Sequence, residues 1–233
     1  MNCAILQPSY IPWRGFFHQI QKSDVFVFYD DVKFDKHGWR NRNRIKTSHG
    51  VQWLTIPVHS HALETGQTPI NEVEICRNED WSRRHWLTLQ QQCGKAPHFK
   101  RYRDLLEQCY ARGDTRLADF TIELTMALAR ELGLCHPQFI RSSTLGITGA
   151  GTGRLLDILA RLKATHYISG PSARGYLDLD KFAAAGITLE FMTYDYPEYP
   201  QLYPPYDPQV SILDLLFMTG PDAPRFIWDR TPI

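Results

Sequence analysis

The chain has no CxxC pair, and its five cysteines, Cys3, Cys76, Cys93, Cys109 and Cys135, are odd in number and irregular in spacing. That pattern argues against a zinc ribbon and against a disulfide framework. No apolar run reaches the roughly 20 residues that a membrane-spanning helix needs. The opening residues carry no Lys/Arg cluster ahead of an apolar stretch, so no secretory signal is expected, and a cytoplasmic location is the default reading. An excess of one charge is missing too: 26 Lys and Arg against 25 Asp and Glu leave a net +1. Broad binding to nucleic acid needs an extended basic face, so nucleic acid is not the expected partner. A local pocket for an anionic small molecule stays open. Internal repeats, low-complexity tracts and linkers are absent as well, and residues 1–233 are read as a single unit.

What is present is crowded into the first 46 residues. Cys3–Leu6 reads as a short buried strand. Pro8 and Pro12 force extended or turn geometry after it. Phe16, Phe17 and Ile20 fall at helical spacing, which predicts a helix over Arg14–Lys22. Asp24–Tyr29 reads as a strand buried on both faces. Alternation at Arg40–Lys46 and an apolar Val51–Val58, parted by Ser-His-Gly, predict an antiparallel hairpin. A short strand is expected near Val73–Ile75. Three helices follow: one capped by Asp80, one starting near Pro97, and one running from Asp114 to a stop at Gly133. Strands at Gln138–Arg141, His166–Ser169 and Ile187–Met192 alternate with helices, the first capped by Thr152 and running to Lys163. Ser211–Met218 closes the series as a helix. The pattern predicts an α/β fold: a mostly parallel, Rossmann-like sheet with an antiparallel hairpin and a helical insertion at about 80–133.

Three constellations carry candidate chemistry. Gln7 to Gly15 lies between a strand and a helix, where open α/β sheets place ligands. Gln7 offers amide donors and an acceptor, Tyr10 a hydroxyl, Trp13 a stacking face, and Gly15 room for close approach. Asp30 and Asp31 follow the second strand. Neighbours in extended chain point to opposite sides, so they are alternatives for a general base facing a cleft. Arg40, Arg42 and Arg44 recur at every second residue, which places three guanidiniums on one face of a strand and calls for an anion such as a diphosphate.

Weaker signals are Ser169, Gly170 and Tyr176 at a second strand end, and Gln201 in a Tyr- and Pro-rich covering loop over 194–206. The glycines of Thr148–Gly153 read as a flexible helix start rather than a phosphate loop, since the Walker lysine is missing. His59, His61 and Glu64 lack the spacing of a zinc site. No metal ligand set and no cofactor can be named from the residues.

Taken together, QPSYIPWRGFF, DVFVFYDDVKF, WRNRNRIK, WLTIPV, YISGPSARGYLD, YPEYPQ and SILDLLFMTG resemble the WbqC-like protein family, from Gln7 to Gly220 and in the same order. Two positions depart from it: Cys93 stands where an aromatic is usual, and Met218 where an Asn is more familiar. A fainter similarity, for the fold alone, is to Rossmann-like nucleotidyltransferases. Their His-x-Gly-His turn would fall at Trp13-Arg14-Gly15-Phe16, with both histidines replaced.

Members of the WbqC-like family occur in gene clusters for O-antigen and other surface polysaccharides, part of lipopolysaccharide biosynthesis. The resemblance implies an enzyme acting on a sugar nucleotide or a related anionic precursor. An acyl or aminoacyl transferase is the expected class. Arg42 and Arg44 would hold the diphosphate, Trp13 or Tyr10 would stack, and Asp31 would be the base. The alternatives are a non-catalytic binding protein of the same pathway, or a binder of RNA or single strands through the arginines with Trp39 and Trp53.

Overall fold

The computed structural model describes residues 1–59, 67–78 and 80–228. Five parallel strands build the sheet: β1 (Asn2–Leu6), β2 (Val25–Phe28), β5 (Gln138–Arg141), β6 (His166–Ser169) and β7 (Thr188–Phe191), in the order β5-β2-β1-β6-β7. β2 is apolar and buried at all of its positions, as a strand covered on both faces must be. β1 sits centrally, with Cys3 and Ala4 aligned to Val25 and Phe26 on one side and to Tyr167 and Ile168 on the other.

Alternation along these strands sorts the core into two layers. Ala4, Phe26 and Phe28 face helix α1 (Arg14–Lys22), which contributes Phe16, Phe17 and Ile20. Cys3, Ile5, Val25 and Val27 face helix α5 (Gly151–Arg161), which contributes Leu155, Ile158 and Leu159. Phe182 of the short helix α6 (Leu179–Ala184) completes that second layer.

The excursion between β2 and β5 holds a separate two-stranded ribbon and three helices. The ribbon is β3 (Arg42–Thr47) with β4 (Gly50–Thr55), and Gly50 takes a φ of +100° at its turn. The helices are α2 (Trp81–Cys93), α3 (Phe99–Ala111) and α4 (Leu117–Glu131). Asp80 caps α2 by accepting from the Arg83 N–H at 3.4 Å. Gly133, at φ +77°, ends the insertion after α4. Helix α7 (Ile212–Thr219) closes the chain's regular structure, giving seven α-helices among the described residues.

Three local expectations need correction. Arg40 precedes the ribbon rather than joining it, because the Trp39 carbonyl is taken by the Tyr10 N–H at 3.2 Å. The strand expected at Val73–Ile75 is a 3-10 turn over Ile70–Glu72 followed by isolated bridges of Glu74 to Arg116 and Ile75 to Val58. Thr152 does not cap α5: its hydroxyl accepts from the Asp178 N–H at 3.0 Å, and the helix ends at Arg161, short of Lys163. Among the described residues, no helix is long and apolar enough to cross a membrane.

Candidate functional site

In chain order the sheet strands lie 3-2-1-4-5, so the winding direction reverses between β1 and β6. Crevices in such sheets open at that reversal, beyond the carboxyl ends of the strands. A cavity of about 1080 Å³ lies there, reached by the ends of β1, β2 and β6 and by the start of α5. Its volume is at the upper end of what ligand sites of small molecules use.

The loop after β1 is held under strain. Ile11, fully buried, takes a φ of +37°, a conformation that β-branched residues rarely adopt. The Asn43 side-chain amide compensates by donating to both the Tyr10 and Ile11 carbonyls at 3.0 and 2.8 Å. Ribbon strand β3 therefore fixes the loop that forms one cavity wall.

Of the residues singled out in the sequence, Gln7, Trp13, Asp31, Arg40, Ser169, Gly170 and Tyr176 line the cavity. Asp31 places one oxygen 2.6 Å from Arg154 and accepts from the Ser142 hydroxyl on the other at 2.5 Å. Arg40 donates to the Gln7 carbonyl at 3.1 Å, while its Nε is buried with no partner. Burial lowers its pKa to about 10, against the pull of Asp35. A half-buried guanidinium whose Nε is buried and unpaired is primed for an anion. Tyr176 is 71% exposed and stands at the mouth; Trp13 packs edge-on against Tyr194, with ring centroids 4.8 Å apart.

The other candidates lie off the cavity. Tyr10 is fully buried, its hydroxyl 2.5 Å from that of Tyr110 and 2.8 Å from His85 Nδ1, so it joins the first loop to the helical insertion. Gly15 makes room for protein rather than ligand: a Cβ there would lie 2.3 Å from Trp13 Cζ2. Asp30 is sealed away, bound by Arg141 at 2.6 Å and by the Ser143 N–H at 3.0 Å. Arg42 and Arg44 share a ribbon face, as the alternation predicts. They stack on indoles instead of turning inward, Arg42 at 4.8 Å from the Trp53 centroid and Arg44 at 5.6 Å from that of Trp39. Gln201 binds Asp214 at 2.9 Å and the Asp207 N–H at 2.8 Å, in a buried network with Tyr199 and Lys46. Burial raises the Asp214 pKa, with Tyr199, Gln201 and Lys46 pulling the other way.

Sequence reasoning missed five contributors. Arg154, 7% exposed, anchors Asp31 and lies over the Tyr29 ring at 5.0 Å; an arginine beside the apolar Leu155–Leu159 stripe was the available signal. Lys33 is an exposed cation on the cavity wall. Gln19, almost fully buried, donates to the Tyr194 hydroxyl at 2.5 Å. Gly149 and Gly151, with φ of +102° and +59°, bring the start of α5 to the cavity, although the sequence reading treated this stretch only as a helix start. The free amides of that first turn favour negative charge.

Burial raises the Cys3 and Cys93 thiols to about 12, which suits packing and not nucleophilic attack. Among the described residues no group of three or more His, Cys, Asp or Glu could hold a metal ion. His61 and Glu64 lie outside the described residues.

No solved structure matches the chain. An uncharacterized protein of Mycobacterium tuberculosis (strain ATCC 25618 / H37Rv) is 38% identical over 232 residues, covering 96% of each chain. The model of the WbqC-like protein family matches residues 7–226, from the first cavity residue after β1 to the segment packed behind α7. By that match, the chain belongs to the WbqC-like family.

Proposed function

We propose that the switch-point cavity binds a sugar nucleotide or a related anionic precursor of surface polysaccharide, and that the chain is a cytoplasmic transferase of acyl or aminoacyl groups. One observation carries this reading: Arg40, Lys33 and the amides at the start of α5 border the same cavity as the Asp31 carboxylate. The diphosphate is assigned to Arg40 and the α5 start, in place of Arg42 and Arg44, which are not among the residues that line the cavity. Asp31 stands just beyond β2, where related sheets hold a ribose hydroxyl. With Arg154 and Ser142 fixing its two oxygens, it has lone pairs left for a ligand hydroxyl or amine. Trp13 and Tyr176 supply flat surfaces at the entrance.

The test is a thermal-shift panel of UDP-, GDP- and dTDP-sugars. At least one is expected to raise the unfolding temperature, and Arg40→Gln is expected to weaken that ligand about tenfold or more, the scale of one charge-assisted bond. Asp31→Asn should leave binding within a few fold and abolish turnover. If Asp31→Asn supports normal polysaccharide output in cells while Arg40→Gln does not, the chain is a binding protein of the pathway and no enzyme.

A further inference from the structure

The ribbon carries a second feature that the cavity does not absorb. Trp39 and Trp53 lie with ring centroids 5.1 Å apart, and they are 41% and 44% exposed. Arg42 covers Trp53, and Arg44 sits between the two rings at 5.6 and 5.8 Å from their centroids. Register explains the ladder: Arg44 is directly across the ribbon from Trp53, and Arg42 is its diagonal neighbour.

The arginines are held by neutral partners. Arg42 donates to the Gly38 and His37 carbonyls at 3.3 and 2.6 Å, and Arg44 to the Gln209 side-chain oxygen at 2.7 Å. Among the described residues, neither forms an ion pair. Two guanidiniums held against indoles and by these hydrogen bonds, with no ion pair among the described residues, have less rotamer freedom to lose when a ligand arrives. Their remaining N–H groups suit a phosphate or carboxylate.

The ladder also opens on the cavity. Trp39 and Gln209, which hold Arg44, both line the cavity wall. Exposed indole next to fixed positive charge fits a ligand with one apolar ring face and one anionic substituent. A hexose bearing a phosphate or a carboxylate has that form.

We infer that the Arg42–Trp53–Arg44–Trp39 ladder is a second anion subsite, which binds a phosphorylated or carboxylated hexose beside the cavity. The binding of the hexose anion stands independently of the transfer reading above.

The experiment follows tryptophan fluorescence during titration with glucose 1-phosphate, glucuronate, glucose and inorganic phosphate. Both hexose anions are expected to bind, more tightly than glucose or phosphate, and more weakly as salt rises. Arg42→Gln/Arg44→Gln should weaken them at least about tenfold while leaving nucleotide binding intact, and Arg40→Gln should do the reverse. Should the Gln pair fail to fold, Arg42→Lys/Arg44→Lys keeps the charge and loses the fork, and glucuronate should still weaken at least about threefold. Equal hexose-anion affinity in the wild type and the folded ladder variant overturns the subsite. So does ladder-dependent binding confined to phosphatidylglycerol vesicles, to oligonucleotides or to inorganic phosphate. Hexose anions that bind at the ladder while no nucleotide binds anywhere would leave the subsite standing and remove the cavity reading instead.

Discussion

Neighbouring residues of one type end in different environments. Asp30 is sealed and tied to Arg141, while Asp31, one position on, lines the cavity. The sequence showed that only one of the two would face a cleft, because strand alternation requires it, but it held no sign of which. The arginines divide for another reason. Arg42 and Arg44 obey the strand period, whereas Arg40 falls before the strand starts, where the chain is bound to the Tyr10 backbone. Tyr10 itself was legible as special and illegible in role, since its partners Tyr110 and His85 lie far along the chain. That cluster yields a pH prediction. Burial, with Arg84 adding to it and the Thr55 backbone opposing, lowers His85 to about 4 from 6.5. The unfolded chain takes up this proton first, so the neutral imidazole's contribution is complete above about pH 6.5 and is lost as pH falls toward 4. The shift corresponds to at most about 3 kcal/mol. Thermal unfolding between pH 7 and 5 should lose stability more steeply in the wild type than in His85→Gln, and parallel curves would contradict it.

Elements with a clear period were read well. The helix over Arg14–Lys22 and the strand Gln138–Arg141 form with the predicted limits, since the apolar spacing there is set by the sheet they cover. Element starts were harder. The start of α5 has no side-chain cap; two glycines with positive φ shape it, and Thr152 serves a different helix. At the start of α1, Trp13 folds back over Gly15, a contact that no periodicity reveals. Gly15→Ala would place a methyl 2.3 Å from the indole, against an atom that cannot yield without moving the whole ring. The expected result is a stability loss of about 1–3 kcal/mol by denaturant titration, with a shifted tryptophan emission. An unchanged midpoint and spectrum would show that the ring has another resting place.

At the scale of the whole molecule, the parallel sheet was legible from strand and helix alternation, but the strand order was not. Which strand lies beside β1 depends on contacts spanning more than a hundred residues. The covering loop over 194–206 was visible in its Tyr and Pro content, yet its fastening was hidden in Arg14. This buried guanidinium donates to the Pro197 and Phe226 carbonyls at 2.9 and 3.1 Å and to the Tyr206 hydroxyl at 2.7 Å. Arg14→Leu should free that loop and the segment behind it, seen as faster amide exchange over 195–207 and 224–228 with the sheet still protected. Uniform protection in the variant would mean that the loop is held by its aromatics alone.

The backbone bonds from the Ser211 N–H to the Arg44 carbonyl and from the Ile212 N–H to the Pro12 carbonyl tie the segment before α7 to the ribbon and to the first loop. A ribosome making this chain has already extruded Gln7, Asp31 and Arg40 long before the β6 strand and the segment that pins the ribbon emerge. The wall of the cavity is therefore completed only when the segment at Ser211 and Ile212 has emerged and docked on the ribbon and the first loop.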